Sequence, residues 1–299
     1  MRTFRAMTTD VSVVAPTLDD AAEHQLAEQV ACLFAETERR FSRFCDDSEL
    51  GRLNRAAGPI TVSRELMALL CAAREHVNDT GGLFDPAIGQ ALCAAGYDRS
   101  FGPGALDRGA GASPAVRACF AELAIDEPAL RVRRPRHVQL DFGGFLKGRT
   151  ADRAAALAPA TSMIDAGGDA VLRGGGLDGG GWLVDVEDPS DARGVVATLR
   201  LRDRAVATSS PNRRRWRAGG GVAHHLIDPR TGLPSASDLA QVTAVAPSAE
   251  HADVLAKVAF LLGAADGARW LDGRRGVGGV LVARDGTVRI VGELEPVDA

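Results

Sequence analysis

Residues 4–14 alternate apolar and polar side chains, the period of a half-buried strand. Thr17-Leu-Asp-Asp20 comes next, a hydroxyl with an acid three residues on, which predicts a helix start. Leu26, Val30, Leu33 and Phe34 then recur at helical spacing, so an amphipathic helix is expected to run to about residue 40. A second helix is predicted from Arg64 to Val77, with Leu66, Leu69, Leu70 and Ala73 on one face, and Thr80-Gly81-Gly82 ends it.

Residues 102–116 are rich in Gly, Ala, Pro and Ser and read as an exposed excursion. Beyond them strand-length apolar runs dominate, at 130–134, 137–141, 162–165, 182–186, 195–201, 205–208, 242–245, 280–283 and 288–291. Two helices interrupt these runs. One opens near Gly148 and carries Asp152; the other starts after Ser248, carries Asp253 and Lys257, and is expected to stop at Gly263. Short strands mixed with long helices, without a regular β-α-β alternation, predict an α+β fold of mixed or antiparallel sheets with packed helices. No internal repeat is present, and residues 1–299 read as one domain or as two intimately packed lobes.

Composition narrows the class of function. A chain of 299 residues, 45% of them hydrophobic, can bury one large core or two modest ones. A formal charge of −4 argues against a nucleic-acid partner, which needs a basic footprint. Cys32, Cys45, Cys71, Cys93 and Cys119 are odd in number and form no CxxC pair, so buried free thiols in a reducing compartment are expected. The opening MRTFRAMTTDVSVVAP lacks the apolar core of a signal peptide, and no stretch reaches the length of a spanning helix. The protein is therefore expected to be cytoplasmic and not an integral membrane protein. Lys147 and Lys257 are its only lysines.

Four segments carry candidate chemistry. Ser162-Met-Ile-Asp-Ala-Gly-Gly-Asp169 is an apolar strand running into paired glycines, where a phosphate or flat ring can approach backbone without meeting a Cβ. Leu140-Asp-Phe-Gly-Gly-Phe-Leu-Lys-Gly148 places Lys147 at a helix entrance, suited to a pyrophosphate or simply to a strand–helix turn. Ala207-Thr-Ser-Ser210 and Ala223-His-His-Leu-Ile-Asp-Pro-Arg-Thr-Gly232 gather hydroxyls, imidazoles and a carboxylate that can handle a phosphate and move a proton. Asp253 and Lys257 stand four apart on one helix face, the spacing of an ordinary ion pair. The chain has no GxxxxGK motif followed by Ser or Thr, no GxGxxG between a strand and a helix, and no GxSxG elbow. P-loop, Rossmann and serine-hydrolase readings therefore fall away.

Taken in order over nearly the whole chain, these segments resemble the ApbE family of flavin transferases. Ala6-Met-Thr-Thr9 is similar to the family's opening Met-Gly-Thr, with Thr8 in place of glycine. Phe41 to Asn54, Gly82-Leu-Phe-Asp-Pro86, Asp141 to Asp152, Ala166-Gly-Gly-Asp169, Glu187-Asp-Pro189, Ala207-Thr-Ser209 and His225 to Gly232 resemble its later motifs. The resemblance implies an ApbE-like fold and FAD as substrate, with magnesium on the pyrophosphate. It also implies an acceptor protein whose Thr or Ser hydroxyl attacks the flavin-side phosphorus, so that AMP leaves. By position it places Met7, Lys147, Asp152, Gly167, Gly168, Thr208, Ser209 and Asp228 around the nucleotide, and His225 near the reacting phosphate. It implies metal ligation by Asp253 and the Leu146 main-chain carbonyl. A Thr ligand is implied one helical turn after Asp253, where this chain has Lys257. An ammonium cannot ligate a cation, so Lys257 is expected to replace the metal in part, with Asp253, Lys257 and His225 as the catalytic set. Two further readings remain open: a non-enzymatic FAD-binding protein, and an FAD pyrophosphatase that releases FMN and AMP.

Overall fold

A computed structural model describes residues 1–100, 117–191, 193–218, 221–294 and 296–297. The excursion expected at 102–116 lies outside the described residues. The N-terminal alternation folds as a hairpin rather than one strand. β1 (Arg2–Ala6) and β2 (Thr9–Val14) pair antiparallel with Ala6 opposite Thr9. Met7 and Thr8 turn the corner at φ 49° and 63°, the left-handed conformation that a two-residue hairpin turn demands.

α1 (Asp20–Phe41) begins later than the Thr17 signature predicts, because a turn from Ala15 to Leu18 comes first. Asp19 caps it instead, its carboxylate accepting the Ala22 amide at 2.8 Å. Next come α2 (Glu49–Arg55), β3 (Ile60–Thr61), α3 (Arg64–Asp79), α4 (Gly89–Ala94), β4 (Ala124–Asp126), β5 (Arg131–Arg133) and α5 (Leu146–Ala155). The strand expected at 137–141 is replaced by a single bridge from Gln139 to Ile88. At Leu140 a side chain takes the place of a second neighbouring strand: Asn54 donates to the Leu140 carbonyl at 2.9 Å and accepts the Leu140 amide at 2.8 Å.

The run of strands continues with β6 (Ser162–Ala166), β7 (Ala170–Arg173), β8 (Trp182–Glu187), β9 (Val195–Leu201) and β10 (Arg204–Ser209). Four short strands follow, β11 (Arg215–Ala218), β12 (Gly221–His224), β13 (Ile227–Asp228) and β14 (Leu233–Pro234), then β15 (Leu239–Ala246). α6 (Ala249–Asp272) precedes β16 (Gly278–Ala283), β17 (Val288–Gly292) and β18 (Pro296–Val297). The helical conformation of α6 breaks at Gly263, φ 85°, where a stop was expected. It resumes at once, because Asp238 accepts the Ala264 amide at 2.9 Å and caps the second stretch.

The chain divides into two compact units. The first comprises residues 1–35, 145–212 and 237–299. Its eight-stranded sheet has the order β1-β2-β6-β7-β10-β15-β16-β17, with every ladder antiparallel. Neighbouring residues on a strand serve opposite faces, as the two-residue period requires. Ala205 joins Val11, Val13, Val30, Phe34, Ala151 and Ile164 in a core under α1 and α5. Val206 joins Leu172, Trp182, Leu199 and Leu201 against a three-stranded sheet of order β18-β9-β8. α6 packs on β10, β15 and β16 beside α5. Gly148 makes that helix crossing close: a Cβ there would collide with the Ala249 carbonyl.

The second unit comprises residues 36–144 and 213–236. α3 buries Leu66, Leu69, Leu70 and Ala73, the stripe its sequence predicts, and Ser63 caps it by accepting the Leu66 amide. Trp216 on β11 is fully buried, stacks on Tyr97 at 5.5 Å and donates its indole N–H to the Ala95 carbonyl at 2.7 Å. Asp85 accepts the Ala87 amide at 2.8 Å and the Phe120 amide at 3.1 Å. Burial pushes its carboxyl above the usual range although these amides pull it down. All five cysteines are free thiols, as expected, but none is buried.

Candidate functional site

The turn Ala166–Asp169 joins β6 to β7 and holds Gly167 and Gly168 at φ 67° and 93°. A Cβ on Gly167 would overlap the Thr9 hydroxyl, so the first residue of β2 lies directly over this glycine. The Gly168 amide donates to Asp165 at 2.7 Å, closing the turn internally. Met7, in the hairpin turn before Thr9, packs against the core beneath α1 and α5.

Lys147 lies in the first turn of α5 and reaches across to this turn. Its ammonium donates to the Ala166 carbonyl at 2.8 Å and pairs with the Asp169 carboxylate. On α6, Lys257 donates to Asp253 at 2.6 Å, with side chains only 18% and 8% exposed. The two pairs share one electrostatic environment. Burial pushes the Asp169 carboxyl up, and the neighbouring Asp253 charge adds to that, while Lys147 and Lys257 pull it down. The structure thus brings together the chain's only two lysines and two buried aspartates. In the sequence Asp169 reads as part of a turn rather than as a site residue. The signal that points to it is a carboxylate fixed directly after a glycine pair.

Asp152 is occupied otherwise. Its carboxylate accepts the Ala249 amide at 2.8 Å and the Glu250 amide at 2.9 Å, capping α6 from α5. Burial raises the Asp152 carboxyl against the pull of both amides. Arg149, one turn earlier, pairs with Glu250 at 2.8 Å and adds a second tie between the helices. Thr208 on β10 faces Thr243 on β15, their hydroxyl oxygens 2.9 Å apart. The sequence signal for Thr243 is a hydroxyl inside the largely apolar strand Leu239–Ala246, where it is itself buried. Ser209 is buried beside Thr208.

His225 and Asp228 belong to the second unit. His225 Nδ1 lies 3.4 Å from the Arg214 carbonyl, an acceptor only, so a neutral ring carries its proton on Nδ1 and is basic at Nε2. His224 is buried. Its Nε2 meets the Ser235 carbonyl at 3.1 Å and its Nδ1 accepts the Leu226 amide at 3.3 Å, so it serves its own loop. Asp228 accepts the Arg230 guanidinium through both oxygens, at 2.7 and 2.9 Å, and its own carbonyl accepts the Gly232 amide at 2.8 Å. Those bonds shape the turn that follows His225.

The residues fit magnesium poorly. That ion seeks six oxygen ligands in near-octahedral geometry. Asp253 offers one oxygen, Oδ2, which is buried and has no hydrogen-bond partner. Its other oxygen is held by Lys257, and the Leu146 carbonyl accepts the Thr150 hydroxyl at 2.7 Å. Among the described residues no group of three or more His, Cys, Asp and Glu side chains could hold a metal. The set does not fit the ion in the way the resemblance implies. No described helix is long and apolar enough to cross a membrane.

A family model described as the ApbE family matches residues 7–281. A protein of Treponema pallidum named FAD:protein FMN transferase is 32% identical over 268 residues, covering 81% of this chain and 73% of its own. A protein of the same name from Haemophilus influenzae is 26% identical, with 82% and 76% covered. Among solved structures, the ApbE protein of Thermotoga maritima superposes with a TM-score of 0.86 at 24% identity, over 97% of this chain and 96% of that one. The flavin transferase ApbE of Vibrio cholerae does so with a TM-score of 0.79 at 22% identity, over the same shares.

Proposed function

Since this chain belongs to the ApbE family, we propose that it transfers FMN from FAD to a Ser or Thr hydroxyl of an acceptor protein. The observation that carries the reading is the cluster of Lys147, Asp169, Asp253 and Lys257, two largely buried ion pairs, the first of them on the Gly167–Gly168 turn. Phosphoryl transfer needs little covalent help from a protein; it needs positioned positive charge and a place for one proton. Lys147 and Lys257 supply the charge, and the Gly167–Gly168 turn carries the Asp169 carboxylate that anchors Lys147. Thr208 and Ser209 offer hydroxyls to the nucleotide.

The acceptor oxygen attacks the flavin-side phosphorus while the bond from that phosphorus to the bridging oxygen breaks. AMP departs with the bridging oxygen, and FMN remains on the acceptor as a phosphoester. His225 takes the hydroxyl proton on Nε2, directly or through water, as a general base. Asp228 and Arg230 hold the turn after it. Asp152 acts through α6, which it caps. The five free thiols support a cytoplasmic setting.

The test uses the purified protein with FAD and an acceptor domain carrying an exposed Ser or Thr hydroxyl. Intact mass of the acceptor is followed together with AMP. A gain of one FMN per AMP released is expected. AMP without a mass gain would turn the reading toward hydrolysis, and bound FAD with neither product would turn it toward a flavin carrier.

A further inference from the structure

We infer that this chain holds the FAD pyrophosphate without a divalent metal, the Lys257 ammonium standing where the cation would sit. The inference rests on the transferase reading and deepens it at the same site.

Three observations converge. The chain uses lysine only twice, and both lysines fall in this one cluster. Both lysine side chains are mostly buried, and their ammoniums are anchored on carboxylate side chains that are 4% and 8% exposed. Asp253 keeps one buried oxygen without a partner, while its other oxygen is bound to Lys257.

A cation arriving at that orphan oxygen would meet the Lys257 ammonium on the same carboxylate, and Lys147 stands next to Gly148, where α5 crosses the start of that helix. Like charges repel strongly in so dry a setting. A diphosphate meets the opposite situation, since its charge is opposite to that of both ammoniums. Lysine suits this task better than arginine, because three donors on a compact, flexible head can serve a carboxylate and a phosphate together. Lys147 spends one on the Ala166 carbonyl and one on Asp169, which leaves a third. The orphan oxygen of Asp253 is then free to accept a hydroxyl of the ligand rather than coordinate a metal.

FAD affinity measured by flavin fluorescence, in excess magnesium and in excess EDTA, tests this on the full chain. The parent is expected to bind equally within about twofold in the two buffers, whereas Lys257→Thr loses about tenfold or more in EDTA and recovers with magnesium. A parent that loses affinity in EDTA as steeply as the variant would overturn the inference. Electron paramagnetic resonance of Mn²⁺ with the parent and FAD decides the matter even if the variant fails to fold. A spectrum matching free FAD with Mn²⁺ is expected, and an immobilised Mn²⁺ signal would overturn the inference. Failure of the parent to bind FAD in either buffer would sink the transferase reading as well, whereas magnesium-dependent binding sinks this inference alone.

Discussion

The Asp152 carboxylate on α5 accepts the Ala249 amide at 2.8 Å and so fixes the start of the helix that carries Asp253 and Lys257. A residue whose sequence position suggests nucleotide contact thereby has a mechanical task. Both its oxygens are spent on backbone amides one turn before Asp253.

Asp152→Ala should cost about 1 kcal/mol and at most about 2, the usual penalty for losing an N-terminal cap. Urea unfolding measures this. FAD affinity should weaken with it, since the turn bearing Asp253 loosens. Unchanged stability with abolished FAD binding would instead mean that Asp152 touches the ligand.

His225→Gln should slow transfer by a factor on the order of 10² to 10⁴ while leaving FAD affinity near that of the parent. Single-turnover AMP release with saturating acceptor separates the two effects. A variant with full transfer rate would remove His225 from the proton step.

Gly148→Ala should destabilise the first unit by about 1–3 kcal/mol, because the added methyl meets the Ala249 carbonyl, main chain that cannot rotate away. The shift of the urea midpoint reports it. If the midpoint does not move, the two helices cross less closely than described.

Asp85 supplies a pH test. Burial raises its folded pKa above the unfolded value, so the folded state binds the proton more readily. Its stability contribution is fully present below the unfolded pKa and is lost as pH rises through the folded one. Asp85→Asn has no such titration. Relative to that variant, the parent should therefore gain stability as pH falls from neutral through the folded pKa. Unfolding curves for the pair across that range check the sign, and a parent that loses ground on acidification would contradict it.

Much of this was legible from local pattern. The stripe of α3, the α+β class and the Asp253–Lys257 spacing follow from periods of two and 3.6 residues, which depend only on neighbours in sequence. What escaped depends on partners far along the chain. Residues 137–141 have a strand's composition, but at Leu140 Asn54 takes the hydrogen bonds that a ladder would use. α6 resumes past Gly263 because Asp238, 26 residues from Ala264, caps it again. The N-terminal alternation hid a turn, since Met7 and Thr8 adopt positive φ without glycine. Asp169 reads as a turn residue until Lys147, 22 positions away, is seen beside it.

The first unit is threaded from three separate stretches of chain, and the order of synthesis follows from that. A ribosome makes β1, β2, α5 and the Gly167 turn early, together with Lys147 and Asp169. The neighbours β15 and β16 of the eight-stranded sheet emerge only after residue 238, on either side of α6. A nascent chain that has not yet reached Leu239 therefore has only the Lys147–Asp169 pair of the cluster, an uncovered sheet edge at β10 and a carboxylate at Asp152 with no helix to cap. The cluster of two lysines and two aspartates is completed last, and a chain shortened before α6 keeps the glycine turn but lacks Asp253 and Lys257.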